Sequence, residues 1–388
     1  MIKRLALPLL RSSLAHWPAA VIVGPRQCGK TTLAKSLGGE YFDLEQERDR
    51  LRLDMQWDQL CEGRSLIILD EAQSWPAIFP RLRGAIDAKR RRNGRFLLLG
   101  SIAPSLMTAV SESLAGRMAV LELTPFLMSE LATKPMRERS WLCGGFPDGG
   151  IQRPRAFPEW ESNYVRLLAE RDLPNLGLSC TPQTTMRLIR MLALTNGQQW
   201  NASEIGRSMG LSYQTINSYT DFLEGIFLLR RLPVFHGNMR KRLVKAPKLL
   251  WRDSGILHSL LGIENGDSLL THPAIGASWE AFVIEQALGL LNALGARHSA
   301  THLRTSDGYE ADLVLDCAGE RWVIEIKLTS NPGARAFDRL DICGELTTAT
   351  RHVLVSRVPT DSASATRLSC GLDRFLKEIT ALAKRATQ

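Results

Sequence analysis

Residues 19–37 read AAVIVGPRQCGKTTLAKSL, and this stretch decides the fold of the first third of the chain. Ala19 to Val23 is a short unbroken apolar run, the pattern of a strand buried on both faces. It leads through a glycine-bounded loop into a helix-like stretch, Thr32 to Leu37. The loop, Gly24-Pro25-Arg26-Gln27-Cys28-Gly29-Lys30-Thr31, matches G-x-x-x-x-G-K-[ST] in full. In that strand-loop-helix setting the glycines let main-chain N–H groups curl around β- and γ-phosphates. The helix start adds the positive end of its dipole, Lys30 meets the phosphate charge, and the Thr31 hydroxyl ligates Mg²⁺. The nucleotide-binding set is these eight residues together with Thr32.

Outward from this unit, similar buried runs recur at Ser65 to Leu69 and Arg95 to Leu99, with a helical pattern at Pro80 to Arg91. Another strand-like stretch, Met118 to Leu123, stops at Pro125. Such alternation predicts an α/β domain, a parallel sheet wrapped by helices. Leu66-Ile67-Ile68-Leu69-Asp70-Glu71 ends its apolar strand in two carboxylates, the shape of a Walker B segment. There Asp70 would hold Mg²⁺ through its water shell and Glu71 would polarise the attacking water. Ser101, at the tip of Phe96-Leu97-Leu98-Leu99-Gly100, reads either as a γ-phosphate sensor or as a turn serine. Arg117 reads either as an arginine finger reaching a neighbouring subunit or as a surface arginine.

The runs VGPRQCGKTTL, LIILDEAQ, LLLGS, SLAGR and RDLP (Arg171 to Pro174) together resemble the prokaryotic AAA+ family ATPases that carry a C-terminal domain of unknown function. The resemblance spans nearly the whole chain. It implies a P-loop AAA+ core, a winged-helix-like middle and an α/β restriction-endonuclease-like C-terminal domain. Cys28 departs from the small aliphatic residue usual at its position, which raises the question of thiol sensitivity. The expected boundaries are an ATPase domain over 1–135, a helical lid or connector over 136–180, a winged-helix-like domain over 181–247 and the C-terminal domain over 248–388.

Composition sets outer limits. The formal net charge is +9 and the pI is near 9.4, which favours a polyanionic partner such as DNA, although a solvated basic face has the same composition. No apolar run approaches the roughly 18 to 20 residues of a bilayer span, and the start MIKRLALPLLRSSLAHWP reads as an amphipathic first helix. The seven cysteines are scattered, without CxxC, so a cytoplasmic protein with neither disulfides nor zinc is expected.

In the middle, Ala202 to Met209, a turn at Gly210, and Ser212 to Leu223 form a helix-turn-helix pattern. Its second helix would offer Tyr213, Gln214 and Asn217 to a groove, or serve as a protein-protein spacer. The basic stretch Met239 to Lys248 reads as phosphate contacts or as a solvated linker.

Farther on, Glu310 to Leu315 and Trp322 to Leu328 read as hairpin strands joined at Ala318-Gly319-Glu320. Alternation places Glu325 and Lys327 on one face, where they need a partner or a cation to offset desolvation. Together with the helix Ser278 to Leu291, this pattern resembles the PD-(D/E)xK nuclease constellation. By that resemblance Glu280, Asp312 and Glu325 would hold one or two Mg²⁺ ions, and Lys327 would help activate water. The function expected is that of an ATP-binding and hydrolysing AAA+ protein acting on or regulated by nucleic acid, assembled as a homo-oligomer if Arg117 is a finger in trans. Two alternatives stand beside it: a nucleotide-operated protein-interaction switch or scaffold with an inert nuclease-like domain, and a Mg-dependent nuclease with an ATPase loader.

Overall fold

The apolar runs of the first third become the interior strands of one sheet. A computed structural model describes residues 2–100, 114–175, 177–237, 246–333 and 335–387. Its first strands are β1 (Ala19–Val23), β2 (Glu40–Asp43), β3 (Ile67–Asp70), β4 (Phe96–Gly100) and β5 (Met118–Glu122). They form one five-stranded sheet in the order β2-β3-β4-β1-β5, parallel throughout. Every residue of β1, β3 and β4 is buried, which is why these strands read as unbroken apolar runs rather than alternating ones. In register, Val21 lies opposite Leu98 on one side and Val120 on the other.

Helices cover the sheet through apolar stripes. The helix Ile78–Ala88 buries Ile78, Leu82 and Ile86, a four-residue spacing that places all three on one face. They join Val21, Phe42, Leu69, Phe96 and Leu98 in one core cluster. Burial of each such side chain is worth about 1.5 to 3 kcal/mol. Ser101 lies outside the described residues.

The chain divides into two compact units, 1–126 with 225–227, and 127–224 with 228–388. The second begins with helices. Pro182–Leu194 starts at Thr181, whose hydroxyl accepts from the Thr184 N–H at 3.2 Å. Ala202–Met209 starts at Asn201, whose side chain accepts from the Glu204 N–H at 3.2 Å, and it ends at Gly210 in the left-handed region with φ 70°. Tyr213–Gly225 follows. This is the helical middle expected from the sequence. A two-stranded antiparallel ribbon pairs β6 (Leu229–Leu232) with β7 (Lys248–Trp251).

The remaining strands are β8 (His298–Arg304), β9 (Glu310–Cys317), β10 (Glu320–Ile326), β11 (Arg351–Val355), β12 (Ser362–Ala363) and β13 (Arg367–Cys370). They make a mixed sheet in the order β12-β13-β11-β10-β9-β8. The hairpin β9-β10 is antiparallel, and β10 continues parallel to β11. The helix Ile275–Ala293 is buried along nearly its whole length and packs against Leu372–Thr387. No helix among the described residues is long and apolar enough to cross a membrane.

Candidate functional site

The loop after β1 is folded by its own lysine. Lys30 begins the helix Lys30–Lys35, and its ammonium turns back to donate to the Gly24 and Pro25 carbonyls, each at 2.9 Å. Two conformational demands explain the glycines. Gly29 has φ 100°, and a Cβ on Gly24 would sit 2.1 Å from the Leu123 carbonyl oxygen. Beneath the loop, the buried Cys28 thiol donates to that same carbonyl at 3.3 Å. Burial pushes this thiol up from its ordinary value, so it is held protonated and inaccessible. The buried Arg4 ties the loop to the segment after β5, donating to the Cys28 carbonyl at 2.8 Å and the Thr124 carbonyl at 2.6 Å, with its guanidinium 4.8 Å from the Phe126 ring centre. Arg26 pairs with Glu45 at 3.7 Å.

The end of β3 faces this loop. The Thr31 hydroxyl donates to Asp70 Oδ2 at 2.6 Å, and the Tyr41 hydroxyl donates to the same oxygen at 2.8 Å. Asp70 Oδ1 accepts from the Glu71 N–H at 3.0 Å. Lys30 and Asp70 are both buried. A hydroxyl and a carboxylate side by side are hard oxygen donors of the kind Mg²⁺ takes, so the residues fit that ion. Glu71 adopts φ 47°, a left-handed conformation unusual for a side-chain-bearing residue, and its carboxylate accepts from Gln73. Burial first, and then the Asp70 charge, push the Tyr41 hydroxyl far above its ordinary value, so it stays a donor. Arg117 forks onto Asp87, with Nε at 2.9 Å and Nη2 at 3.0 Å from its two oxygens.

A second polar cluster lies in the mixed-sheet region. Glu280, Glu310, Asp312, Glu325, Lys327 and Arg339 line a cavity of about 600 Å³. Lys248, the first residue of β7, is buried and places its ammonium 2.6 Å from Glu280, 3.2 Å from Asp312 and 3.3 Å from Glu310. The other Asp312 oxygen accepts from the Ile326 N–H at 2.8 Å. Lys327 pairs with Glu325 at 3.4 Å. Burial, reinforced by the Asp312 charge, pushes both Glu280 and Glu325 above the usual carboxylate range, while Lys248 and Lys327 respectively pull them back down. Among the described residues no group of three or more His, Cys, Asp or Glu side chains is arranged to hold a metal ion. As they stand, these acids do not fit Mg²⁺, because Glu280 and Asp312 are turned onto Lys248.

Three family models match successive parts of the chain: an AAA domain over 16–132, a domain of unknown function (DUF8612) over 136–267 and another (DUF4143) over 275–366. Two curated relatives, uncharacterized protein Rv2008c of Mycobacterium tuberculosis and uncharacterized protein Mb2031c of Mycobacterium bovis, are each 37% identical over 335 residues. The alignment covers 85% of this chain and 75% of each of theirs. The chain belongs to their family. Its first domain is of the AAA type, a P-loop ATPase fold, and the helical and mixed-sheet regions carry the two domains of unknown function. Among solved structures, the Walker-type ATPase PABY2304 of Pyrococcus abyssi aligns at 15% identity, covering 66% of this chain and 94% of that one, with a TM-score of 0.48. Protein VC1899 from Vibrio cholerae aligns at 15% identity over 95% of this chain and 98% of that one, with a TM-score of 0.22. Both overlays are too loose to add to the fold assignment.

Within the AAA domain, Thr31 meets Asp70 directly, Lys30 begins the same helix and turns back onto the loop, and Glu71 follows directly on β3. Tyr41 was missed. Its strand, β2, reads Glu-Tyr-Phe-Asp, and only Phe42 is buried, so no apolar run marks it. In the DUF4143 region Glu280, Asp312, Glu325 and Lys327 share one cavity. Lys248 and Glu310 were not singled out, because a lysine at the end of a basic stretch gives no sign that it is buried.

Proposed function

We propose that the AAA domain binds and hydrolyses Mg-ATP and that its nucleotide state governs how the remaining domains engage nucleic acid. The carrying observation is the 2.6 Å hydrogen bond from Thr31 to Asp70, beside a loop closed on Lys30. When phosphates arrive, the Lys30 ammonium exchanges two carbonyl oxygens for phosphate oxygens, a stronger charge-assisted contact. Gly24 through Thr32 cradle the phosphates. Mg²⁺, when bound beside Thr31 and Asp70, supplies neutralisation of phosphate charge. Glu71 orients the attacking water and accepts its proton once its carboxylate turns away from Gln73. Arg117 serves as a finger toward a neighbouring subunit only by exchanging Asp87 for phosphate, so that role requires a homo-oligomer in which the exchange occurs.

The nucleic-acid part of the reading is supported by the basic net charge and by the helix-turn-helix pattern at Ala202–Met209 and Tyr213–Gly225, which carries Tyr213, Gln214 and Asn217. Of these, Asn217 accepts from the Trp200 indole N–H at 2.9 Å, whereas Tyr213 is exposed. DNA contact by this winged-helix-like region is therefore assigned to Tyr213 and Gln214. The test is ATP turnover measured with and without single- and double-stranded DNA over a salt series. A steep loss of DNA binding with salt is expected from counterion release. Turnover indifferent to DNA, with no salt-dependent binding, would favour a protein-interaction switch or scaffold.

A second reading, Mg-dependent nucleic-acid cleavage by the C-terminal domain, is favoured by one observation, that Asp312, Glu325 and Lys327 line a single cavity on the β9-β10 hairpin, and it requires Glu280 and Asp312 to turn from Lys248 before an ion can enter. Cleavage in Mg²⁺ or Mn²⁺ that disappears in Lys327→Ala supports it. Cleavage unchanged in that variant removes these residues from the chemistry.

A further inference from the structure

Lys248 is only 3% exposed, and all the charged partners found for its ammonium are carboxylates: Glu280 at 2.6 Å, Asp312 at 3.2 Å and Glu310 at 3.3 Å. An ammonium carries three N–H donors and no acceptor, so three carboxylates saturate it. The acids lining the cavity are Glu280, Glu310, Asp312 and Glu325; with them stand the Lys248 and Lys327 ammoniums and the Arg339 guanidinium, and Glu310 also pairs with Arg304 at 3.4 Å. Asp312 is fixed from two sides, by Lys248 on one oxygen and by the Ile326 N–H on the other. Glu280, on the long buried helix Ile275–Ala293, has its shortest contact with the same ammonium.

We propose that the Lys248 ammonium occupies the cation position shared by Glu280 and Asp312 and excludes a divalent ion from it. This rests on reading the acidic cavity as a divalent-cation site, and it explains why the acids are not gathered as ligands. A divalent ion needs ligand oxygens at roughly 2.0 to 2.6 Å, and a lysine cannot share that space with it. Two outcomes follow for the position: the ion enters only where Lys248 has withdrawn, or it is confined to the Glu325 side of the cavity. Burial lowers the tendency of Lys248 to stay charged, but the fields of Asp312 and Glu280 more than offset this, so loss of its proton does not vacate the position. Removal of the side chain does.

The test is titration of the full chain with Mn²⁺ in the absence of nucleotide, reading free Mn²⁺ by electron paramagnetic resonance. Wild type, Lys248→Met, Lys248→Arg and Lys248→Met with Glu280→Gln are compared, each checked by its melting curve. Lys248→Met is expected to take up Mn²⁺ at least tenfold more tightly than wild type. Lys248→Arg, which keeps a cation in place, should titrate like wild type, and adding Glu280→Gln should abolish the gain. Any uptake beside Asp70 is common to all four and cancels. If Lys248→Met is unfolded without metal, Mn²⁺ is expected to restore its melting transition, and failure to do so overturns the proposal. Equal uptake by wild type and Lys248→Met, lost in Glu325→Gln, would overturn the Lys248 assignment while leaving the cation-site reading intact. No uptake by either protein would sink both.

Discussion

Thr31 and Asp70 are joined by a 2.6 Å hydrogen bond that links the first helical turn after the glycine-rich loop to the tip of β3, which is separated from β1 by β4. These residues lie 39 positions apart in sequence, and the parallel order β3-β4-β1 brings their strand ends to the same edge of the sheet. Ligands of open α/β sheets bind beyond the carboxyl ends of the strands for this reason.

Lys30→Ala should remove both the charge that meets phosphate and the two bonds that close the loop. Loss of measurable Mg-ATP binding is expected. Glu71→Gln keeps the shape but not the proton-accepting charge, so it should bind Mg-ATP normally and turn over at least a hundredfold more slowly. Filter binding and steady-state phosphate release check both variants; normal turnover in either would remove that residue from its role.

Tyr41→Phe deletes one of two side-chain donors to Asp70 Oδ2 and leaves the Thr31 bond in place. A hydrogen bond to a charged group is worth about 1.5 to 3 kcal/mol. Turnover should therefore fall by roughly ten- to a hundredfold at saturating Mg-ATP, with the KM for ATP changed little. An effect on KM alone would mean that Tyr41 acts on binding rather than on the position of Asp70.

Gly24→Ala should fail for a steric reason, because its Cβ would lie 2.1 Å from the Leu123 main-chain oxygen. The expected result is a lowered melting temperature together with lost nucleotide binding. Cys28 behaves differently. Its thiol is fully buried, so iodoacetamide should leave it unmodified in the folded protein, and Cys28→Ala should retain turnover within about threefold. Peptide mapping after alkylation and a turnover assay decide both points.

The buried Glu161 predicts a pH dependence. Its Oε1 accepts from the Gly150 N–H at 3.2 Å, while Oε2 has no hydrogen-bond partner among the described residues. Burial pushes this acid up to about 7 from an ordinary value near 4.5. A raised carboxyl binds its proton more tightly folded than unfolded, so its stabilising contribution is complete below about pH 4.5. That contribution is lost as pH rises through about 7, at no more than about 1.4 kcal/mol per pH unit. The melting temperature of wild type relative to Glu161→Gln should therefore fall between pH 5 and pH 8. A difference that does not change with pH would contradict the assignment.

How much of this was legible in sequence depends on burial. The runs at 19–23, 67–69 and 96–99 are buried on both faces, so hydrophobicity alone marks them, and the loop motif is local. The strand β2 sits at the sheet edge with one buried residue, and its polar letters hide both the strand and the Tyr41 contact. In the mixed-sheet region alternation correctly paired β9 with β10, yet the role of Lys248 depends on partners 32 to 64 residues away. Nothing local in Lys-Leu-Leu-Trp separates a buried counter-ion from a strand-end lysine. Ser101 and most of the basic stretch 239–248 fall outside the described residues, so their expected roles stand as sequence readings.

Isothermal titration of the folded chain carrying Glu71→Gln with Mg-ATP tests the central claim most directly, because hydrolysis does not then obscure binding. A saturable heat near one nucleotide per chain is predicted, abolished when Lys30→Ala is added. No heat from well-folded protein, or an unchanged heat with Lys30→Ala, would contradict it.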